Sequence, residues 1–267
     1  MPPSPPKSSG GAAETAAGAV ASPLLSRPPP PFHSPPMETS KAPDQALQPS
    51  AAPAPPPWAE AGLAFLAATD PTLHGVVTRC GPLPWRRRAP GFPGLLRAIC
   101  GQQISNRAAG AIWDRLRALP GAREPAGLLD LDDSALCGMA GLSRPKAAHA
   151  RSLAAAILAG DLRLDLLPTM PDETAVAHLC AVRGLGRWTA GVHLLFAEDR
   201  PDIFPEGDLA LAASLAHLRG LPERPSPRAL TAIAGEWRPY RSLAARLLWH
   251  NWRHATGRPG ADPEDDG

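Results

Sequence analysis

The residues best suited to chemistry cluster between His178 and Leu218, in HLCAVRGLGRWTAGVHLLFAEDRPDIFPEGDLALAASLAHL. Gly184-Leu185-Gly186 lies between two helical segments. A glycine hairpin of this kind lets the turn take positive φ and lets another backbone come close. It also exposes N–H groups at a helix N-terminus, where a phosphate can sit. Leu185 is predicted to pack beneath the hairpin, with Arg187, Thr189 and the first amides of the second helix converging on one anion. Taken alone, a GxG between helices is most often simply a turn.

Asp208 is the second feature. An aspartate just before a helix is ordinarily an N-cap contributing about 1 kcal/mol. Here Phe204-Pro205-Glu206-Gly207 constrains the approach and so fixes where the carboxylate points. Such a group could act on whatever carries the phosphate. Glu206 is a competing acid, but it lies within the loop, where its position is less well defined. Trp249 falls opposite the stripe Tyr240, Leu243, Ala244, Leu247, Leu248 of the last helix, so it is either a surface residue or the wall of a cleft. Trp188 shares a face with Val192 and Leu195 and could be core.

The elements that must position these residues all read as helices. The pattern predicts them over 58–69, 72–79, 92–103, 105–119, 132–139, 144–159, 173–182, 187–197, 209–218, 226–236 and 240–253. Ser105, Ser143, Asp172 and Asp208 are the expected N-caps. In 144–159, Ala150, Leu153, Ala154, Ile157 and Leu158 form a buried stripe that Gly160 stops. No stretch alternates with period two for long enough to be a strand, so the expected fold class is all-α. Trp85-Arg86-Arg87-Arg88 falls on a loop, as a solvated basic turn or a phosphate contact.

Composition bounds the remainder. Of the 267 residues, 44% are hydrophobic and only 5% aromatic, which suits a helical domain. Roughly half of the 35 prolines fall in residues 1–57, a Pro/Ala-rich segment that cannot bury enough apolar surface to offset its ordering entropy and is expected to be disordered. The domain is expected over 58–254, with its hairpin unit at about 172–197, and 255–267 as a disordered acidic tail. A net charge of +2 neither requires nor excludes a basic face. Cys80, Cys100, Cys137 and Cys180 form no CxxC pair, which argues against zinc or iron–sulfur ligation and for a reduced cytoplasmic setting. No apolar run approaches membrane-span length, and residues 1–57 lack the pattern of a signal peptide.

Five stretches in order, LLRAICGQQISNRAA, GLSRPKAAHARSLA, RGLGRWTAGVHLLF, DIFPEGDLAL and WRPYRSLAARLLW, resemble the successive signatures of the helix–hairpin–helix DNA glycosylase superfamily. The WTA after the hairpin and the WRPYR…LLW block resemble its DNA-3-methyladenine glycosylase II branch, without the N-terminal β-domain of the enterobacterial enzyme. The resemblance runs from about Trp58 to His254 and implies two helical lobes with the active cleft between them.

It further implies a base-excision repair enzyme that flips an alkylated purine of the 3-methyladenine type out of duplex DNA. Asp208 would be the catalytic aspartate, stabilising an oxocarbenium-like sugar as the N-glycosidic bond breaks. Gly184, Leu185, Gly186, Arg187 and Thr189 would bind the DNA backbone, with an alkali-metal ion held by the carbonyls of Cys180, Val182 and Leu185. Gln102, Gln103 and Ile104 match the wedge, Gln103 being the inserted residue. Trp249 would stack on the extruded base, in a pocket that includes Trp188, Val192 and Leu209.

Trp188 stands where bifunctional relatives carry a Schiff-base lysine, so a monofunctional hydrolase is expected. Val192 and Leu209 replace two pocket tyrosines, which leaves the lesion range open to uracil or a deaminated purine. Loss of the cluster cysteines implies no iron–sulfur centre. The expected partner is double-stranded DNA, bound by a monomer associated with the nucleoid and not with a membrane. A damaged-DNA-binding module without catalysis is the alternative from another class.

Overall fold

Every regular element among the described residues, 53–258 of a computed structural model, is helical. In chain order they are α1 (Ala59–Thr69), α2 (Pro71–Cys80), α3 (Gly91–Gly101), α4 (Asn106–Arg117), α5 (Pro125–Asp130), α6 (Arg144–Leu158), α7 (Asp172–Cys180), α8 (Arg187–Phe196), α9 (Leu209–Arg219), α10 (Pro227–Ala234) and α11 (Arg241–Thr256). A π-helical turn (Ser134–Met139) and two 3-10 turns (Leu164–Thr169 and Gly235–Trp237) complete them. The disorder expected for 1–52 and 259–267 lies outside the described residues. At the domain edges, Pro56 is already buried and α11 continues through Thr256, past the expected boundary at His254.

The helices pack in groups around one core. Helices α1 and α2 pack with α9 and α11, joining the two ends of the domain. Helices α3, α4, α5 and α6 pack among themselves, α7 pairs with α8, and α3 also touches α8. One continuous apolar core runs through both groups, from Leu66 and Val76 through Leu95 and Leu153 to Leu195 and Leu247.

The first group is knotted at Asp70. Its Oδ1 accepts the Leu73 N–H at 3.0 Å and so caps α2, while its Oδ2 accepts from Arg219 Nη2 at 2.8 Å and Trp237 Nε1 at 3.0 Å. Burial pushes this carboxyl up, but the bonds from Arg219, Leu73 and Trp237 outweigh it and hold the pKa below the usual carboxylate value.

Helix α11 is buried on every side from Ser242 to Trp249, Arg246 included, and again at Asn251, before its last turn reaches solvent. Ser242, Arg246 and Asn251 each find partners, as buried polar groups must. Ser242 exchanges hydrogen bonds with the Ile203 backbone, Asn251 donates to Ser214 at 3.0 Å, and Arg246 donates to the carbonyls of Arg86 at 2.9 Å and Leu195 at 3.0 Å.

Several local expectations are corrected. Helix α5 and the 3-10 turn at 164–169 were not anticipated, because six residues are too short to establish a period, and the segment at 132–139 is a π-turn. Ser143 sits at the N-cap of α6 but makes no capping bond, and Pro145 removes one of the two N–H groups that could have offered it one. Asp172 is the first residue of α7, not its cap, and its carboxylate binds Arg200 Nη1 at 2.5 Å. Leu158 is exposed, because the stripe of α6 leaves the core in its last turn.

The basic loop is neither free nor a bare phosphate contact. Arg87 pairs with Asp199 at 2.7 Å, and the Arg88 N–H donates to the Phe196 carbonyl at 3.0 Å while its guanidinium lies 5.7 Å from the Phe196 ring centre.

Candidate functional site

The two hairpin glycines have different reasons to be glycine. Gly184 has φ +97°, and a Cβ there would lie 2.3 Å from Cγ of His149 on α6, so both backbone conformation and space require it. Gly186 is extended, with φ −90° and ψ 167°, and a Cβ there would meet nothing within 4 Å. The space in front of Gly186 is therefore open. No side chain caps α8, and its first ladder bond runs from the Ala190 N–H to the Gly186 carbonyl at 2.9 Å. The N–H groups of Arg187, Trp188 and Thr189 thus have no ladder acceptor and form a ready anion site. Leu185 packs beneath the hairpin as expected.

The expected convergence of Arg187 and Thr189 on that anion does not occur. The Arg187 guanidinium is held by Glu173 at 3.1 Å and Glu206 at 3.8 Å. Thr189 is buried, because the third position of α8 turns into the core beside Ala190. Backbone amides are what the hairpin offers.

Asp208 sits at the N-terminus of α9 and is only 7% exposed. Its Oδ1 accepts from the Ala210 N–H at 2.9 Å and the Leu211 N–H at 3.0 Å, the capping geometry expected from sequence. Its Oδ2 accepts from Trp188 Nε1 at 2.9 Å. The tryptophan of the hairpin helix therefore reaches across to the carboxylate, and three donors fix the carboxylate's direction. Trp188 is 38% exposed, so it is not plain core, whereas Val192 and Leu195 on the same helix are buried.

Glu206 competes poorly as a catalytic acid. Its half-exposed carboxylate pairs with Arg187 and lines an open polar crevice together with Asp172, Glu173, Asp202 and Arg241. Asp208 is not among that crevice's walls, and so many carboxylates would repel a phosphate backbone. The chemistry is better placed at Asp208 and Trp188.

The other pocket residues separate. Leu209, next to Asp208, is 69% exposed, while Val192 is fully buried in the core. Trp249 is 0% exposed, so neither a surface residue nor an open cleft wall describes it. Its ring stacks on Phe196 with centres 5.4 Å apart, and Arg246 lies 4.5 Å from the centre of that same Phe196 ring. Because α11 has no solvent face over 242–249, a tryptophan opposite its main stripe lies inside a second wall of core.

At the wedge, Gln103 has φ +59°, a left-handed conformation unusual for a side chain of its type, and it is exposed next to exposed Ile104. Gln102 is turned inward, and its Nε2 donates to the Gly184 carbonyl at 2.8 Å.

Sequence reasoning missed three side chains behind the site. Lys146 Nζ donates to the Cys100 carbonyl at 2.8 Å, and His149 lies under Gly184. His193 on α8 is buried with neither ring nitrogen hydrogen-bonded, 3.9 Å from Glu198. Burial first and the Arg88 charge second push its pKa down to about 4. Lys146 and His149 stood in a motif already singled out, at the spacing that puts them on one helix face. His193 also stood in a quoted motif, between Val192 and Leu194, where its burial reads no differently from theirs.

The chain is similar to known proteins over this same region. It is 29% identical over 167 residues to DNA-3-methyladenine glycosylase 1 of Schizosaccharomyces pombe, a match covering 59% of this chain and 71% of that one. Longer relatives from Bacillus subtilis and Mycobacterium tuberculosis are matched over 38% of their lengths. Among solved structures, a DNA-3-methyladenine glycosidase from Bacillus halodurans superposes with TM-score 0.64 at 27% identity, covering 73% of this chain and 90% of that one. The S. pombe 3-methyladenine DNA glycosylase Mag1 in complex with abasic DNA superposes with TM-score 0.64 at 24% identity, covering 72% and 95%, which bears on the fold. Residues 96–239, from the middle of α3 to the turn before α11, match the family described as HhH-GPD superfamily base excision DNA repair protein, and with the hairpin, the capped aspartate and the helix groups in place, the chain belongs to that superfamily.

Proposed function

We propose that this protein is a monofunctional DNA glycosylase that extrudes an alkylated purine, of the 3-methyladenine type, from duplex DNA and hydrolyses its N-glycosidic bond. The observation that carries this reading is Asp208, a nearly buried carboxylate aimed by three donors, one of them from the helix that the hairpin opens. The names of the relatives support the substrate class.

The DNA backbone would lie across the open space at Gly186 and accept from the uncapped amides of α8. Gln103 and Ile104 would fill the gap left by the flipped nucleotide. The base would sit beside Trp188 and Leu209, the exposed apolar groups next to the carboxylate. As the bond to the base breaks, positive charge grows on the sugar. At about 4 Å and an effective dielectric near 20, a carboxylate attracts that charge by on the order of 4 kcal/mol, roughly three decades of rate if expressed mainly in the transition state. Asp208 could then orient the water whose oxygen bonds to the anomeric carbon. Its side-chain partner is an indole and not an amine, which fits hydrolysis without the Schiff-base route to strand cleavage.

The same reading includes duplex DNA as partner, action as a monomer and a nucleoid location. An alkali ion suits the carbonyls of Cys180, Val182 and Leu185, because the end of α7 leaves oxygens without ladder partners. Val182 already accepts the Leu185 N–H at 3.1 Å and keeps a second lone pair. Those oxygens would tie the ion to the hairpin backbone.

One observation favours a second lesion class. With Val192 and Trp249 buried, the exposed surface beside Asp208 pairs the Trp188 ring with aliphatic Leu209, which offers less aromatic surface to a cationic base than a pocket that also held Trp249 and admits uracil or a deaminated purine. A single assay separates the readings: methylated and uracil-containing duplexes are incubated with wild type and Asp208→Asn, and free base is measured. Release of methylated purine by wild type, reduced by about three decades in the variant, is expected. Damaged DNA bound without release of any base would leave only the binding module. Strand nicking without added alkali would contradict monofunctionality.

A further inference from the structure

The segment expected to form the wedge and the hairpin are tied to each other. Gln102 ends α3, and its side chain turns away from the exposed tip to donate from Nε2 to the Gly184 carbonyl at 2.8 Å. The next residue, Gln103, is held at φ +59° with its side chain in solvent. A left-handed glutamine costs free energy and persists only where its neighbours over-determine it. Two neighbours do so. Besides the Gln102 bond, Lys146 reaches from α6 to the Cys100 carbonyl in the last turn of α3 at 2.8 Å, so a cation sits at a helix C-terminus. On the far side of the hairpin, His149 of the same helix fills the space beneath Gly184, within 2.3 Å of where a Cβ would be. The wedge, α6 and the hairpin therefore share one hydrogen-bonded seam.

We propose that Gln102 is not an inserted wedge residue but a positioning residue, which with Lys146 locks the Gln103–Ile104 tip to the hairpin so that seating the DNA backbone at Gly186 presents the tip to the duplex. This rests on the glycosylase reading for its purpose, but it concerns extrusion and not bond cleavage. Gln102→Met keeps roughly the side-chain length and removes the donor without adding a charge beside the hairpin. Lys146→Met removes the second tie without touching the hairpin.

The test uses the full chain with two duplexes, each carrying one 2-aminopurine, placed either in a pair or opposite an abasic site, where no pairing must be broken. Fluorescence reports unstacking, anisotropy reports binding, and thermal denaturation reports folding. Wild type should raise the fluorescence of the paired duplex. Both variants should lower that extruded population by roughly two- to tenfold, the factor that one hydrogen bond's net contribution makes in an equilibrium. Their affinity for undamaged duplex and their signal on the unpaired probe should stay near wild type. No wild-type rise, an unchanged paired signal in both variants, or parallel losses on both probes would overturn the proposal. Base release from a methylated duplex measured alongside keeps the two readings apart: extrusion with no release from methylated DNA removes the glycosylase assignment and leaves this one standing, and release with equal paired-probe signals in wild type and variants does the reverse.

Discussion

Replacing Trp188 with phenylalanine isolates the contact on which the catalytic reading depends. The substitution keeps an aromatic ring on the partly exposed face of α8 and deletes the Nε1–H that meets Asp208 Oδ2 at 2.9 Å. Asp208 would keep its two bonds from the Ala210 and Leu211 amides, both to Oδ1, so α9 stays capped while Oδ2 loses its donor. A hydrogen bond to a charged group contributes about 1.5–3 kcal/mol, and the full amount appears in the rate only if the carboxylate's aim matters in the transition state, giving roughly a ten- to hundredfold fall in kcat. Folding should barely notice, because Trp188 makes none of the fully buried contacts of the core. The assay is single-turnover release of 7-methylguanine or 3-methyladenine from methylated duplex at saturating enzyme, with KM from a substrate series and Tm by calorimetry. Expected are a lower kcat, KM within about twofold, and Tm within about 2 °C. An unchanged kcat would mean that the Trp188–Asp208 bond does not aim the carboxylate. A fall in kcat matched by a large drop in Tm would mean that the indole is structural.

Three further outcomes test the surrounding framework. Gly184→Ala should destabilise strongly, since φ +97° and the His149 ring both oppose a Cβ, whereas Gly186→Ala should leave Tm unchanged and weaken duplex binding, because only the open space where a phosphate would approach is altered. Asp70→Asn should cost about 1–3 kcal/mol in denaturant unfolding, the range for a partly exposed charge pair with added hydrogen bonds. Because the folded pKa of Asp70 is lowered, its contribution is full above the unfolded carboxylate value and should fade as pH falls through the folded one. His193 is held neutral with a folded pKa of about 4. The unfolded chain takes up a proton first, so wild-type stability should be full above about pH 6.5 and fall towards pH 4 by on the order of 3 kcal/mol, and His193→Leu should flatten that slope in urea titrations.

Much of the fold was legible because helices leave a local record. Period, caps and stop signals predicted most of the helices and the all-α class, and Asp208 was read as a cap from its position alone. Failures occurred where the record is too short or where a partner distant in sequence intervenes. Six-residue α5 shows no period, Ser143 makes no capping bond, and Asp172 prefers Arg200 to its own helix. The arginine loop looked free because nothing local reveals Asp199, Phe196 and the carbonyl-seeking Arg246 waiting for it.

Sequence by itself determined the hairpin, the aspartate and the identity of the elements that carry them, since each is written in residues close to one another along the chain. Only the tertiary structure decided what those residues touch. Trp249 became core because α11 is surrounded, Thr189 turned inward, and Arg187 was taken up by two glutamates. Trp188 found Asp208 twenty residues away, and Gln102 found Gly184 on the other side of the wedge. A helical period tells which way a side chain leaves its own axis. It does not tell whether water, a neighbouring helix or a carboxylate stands there, and that depends on how the helices pack.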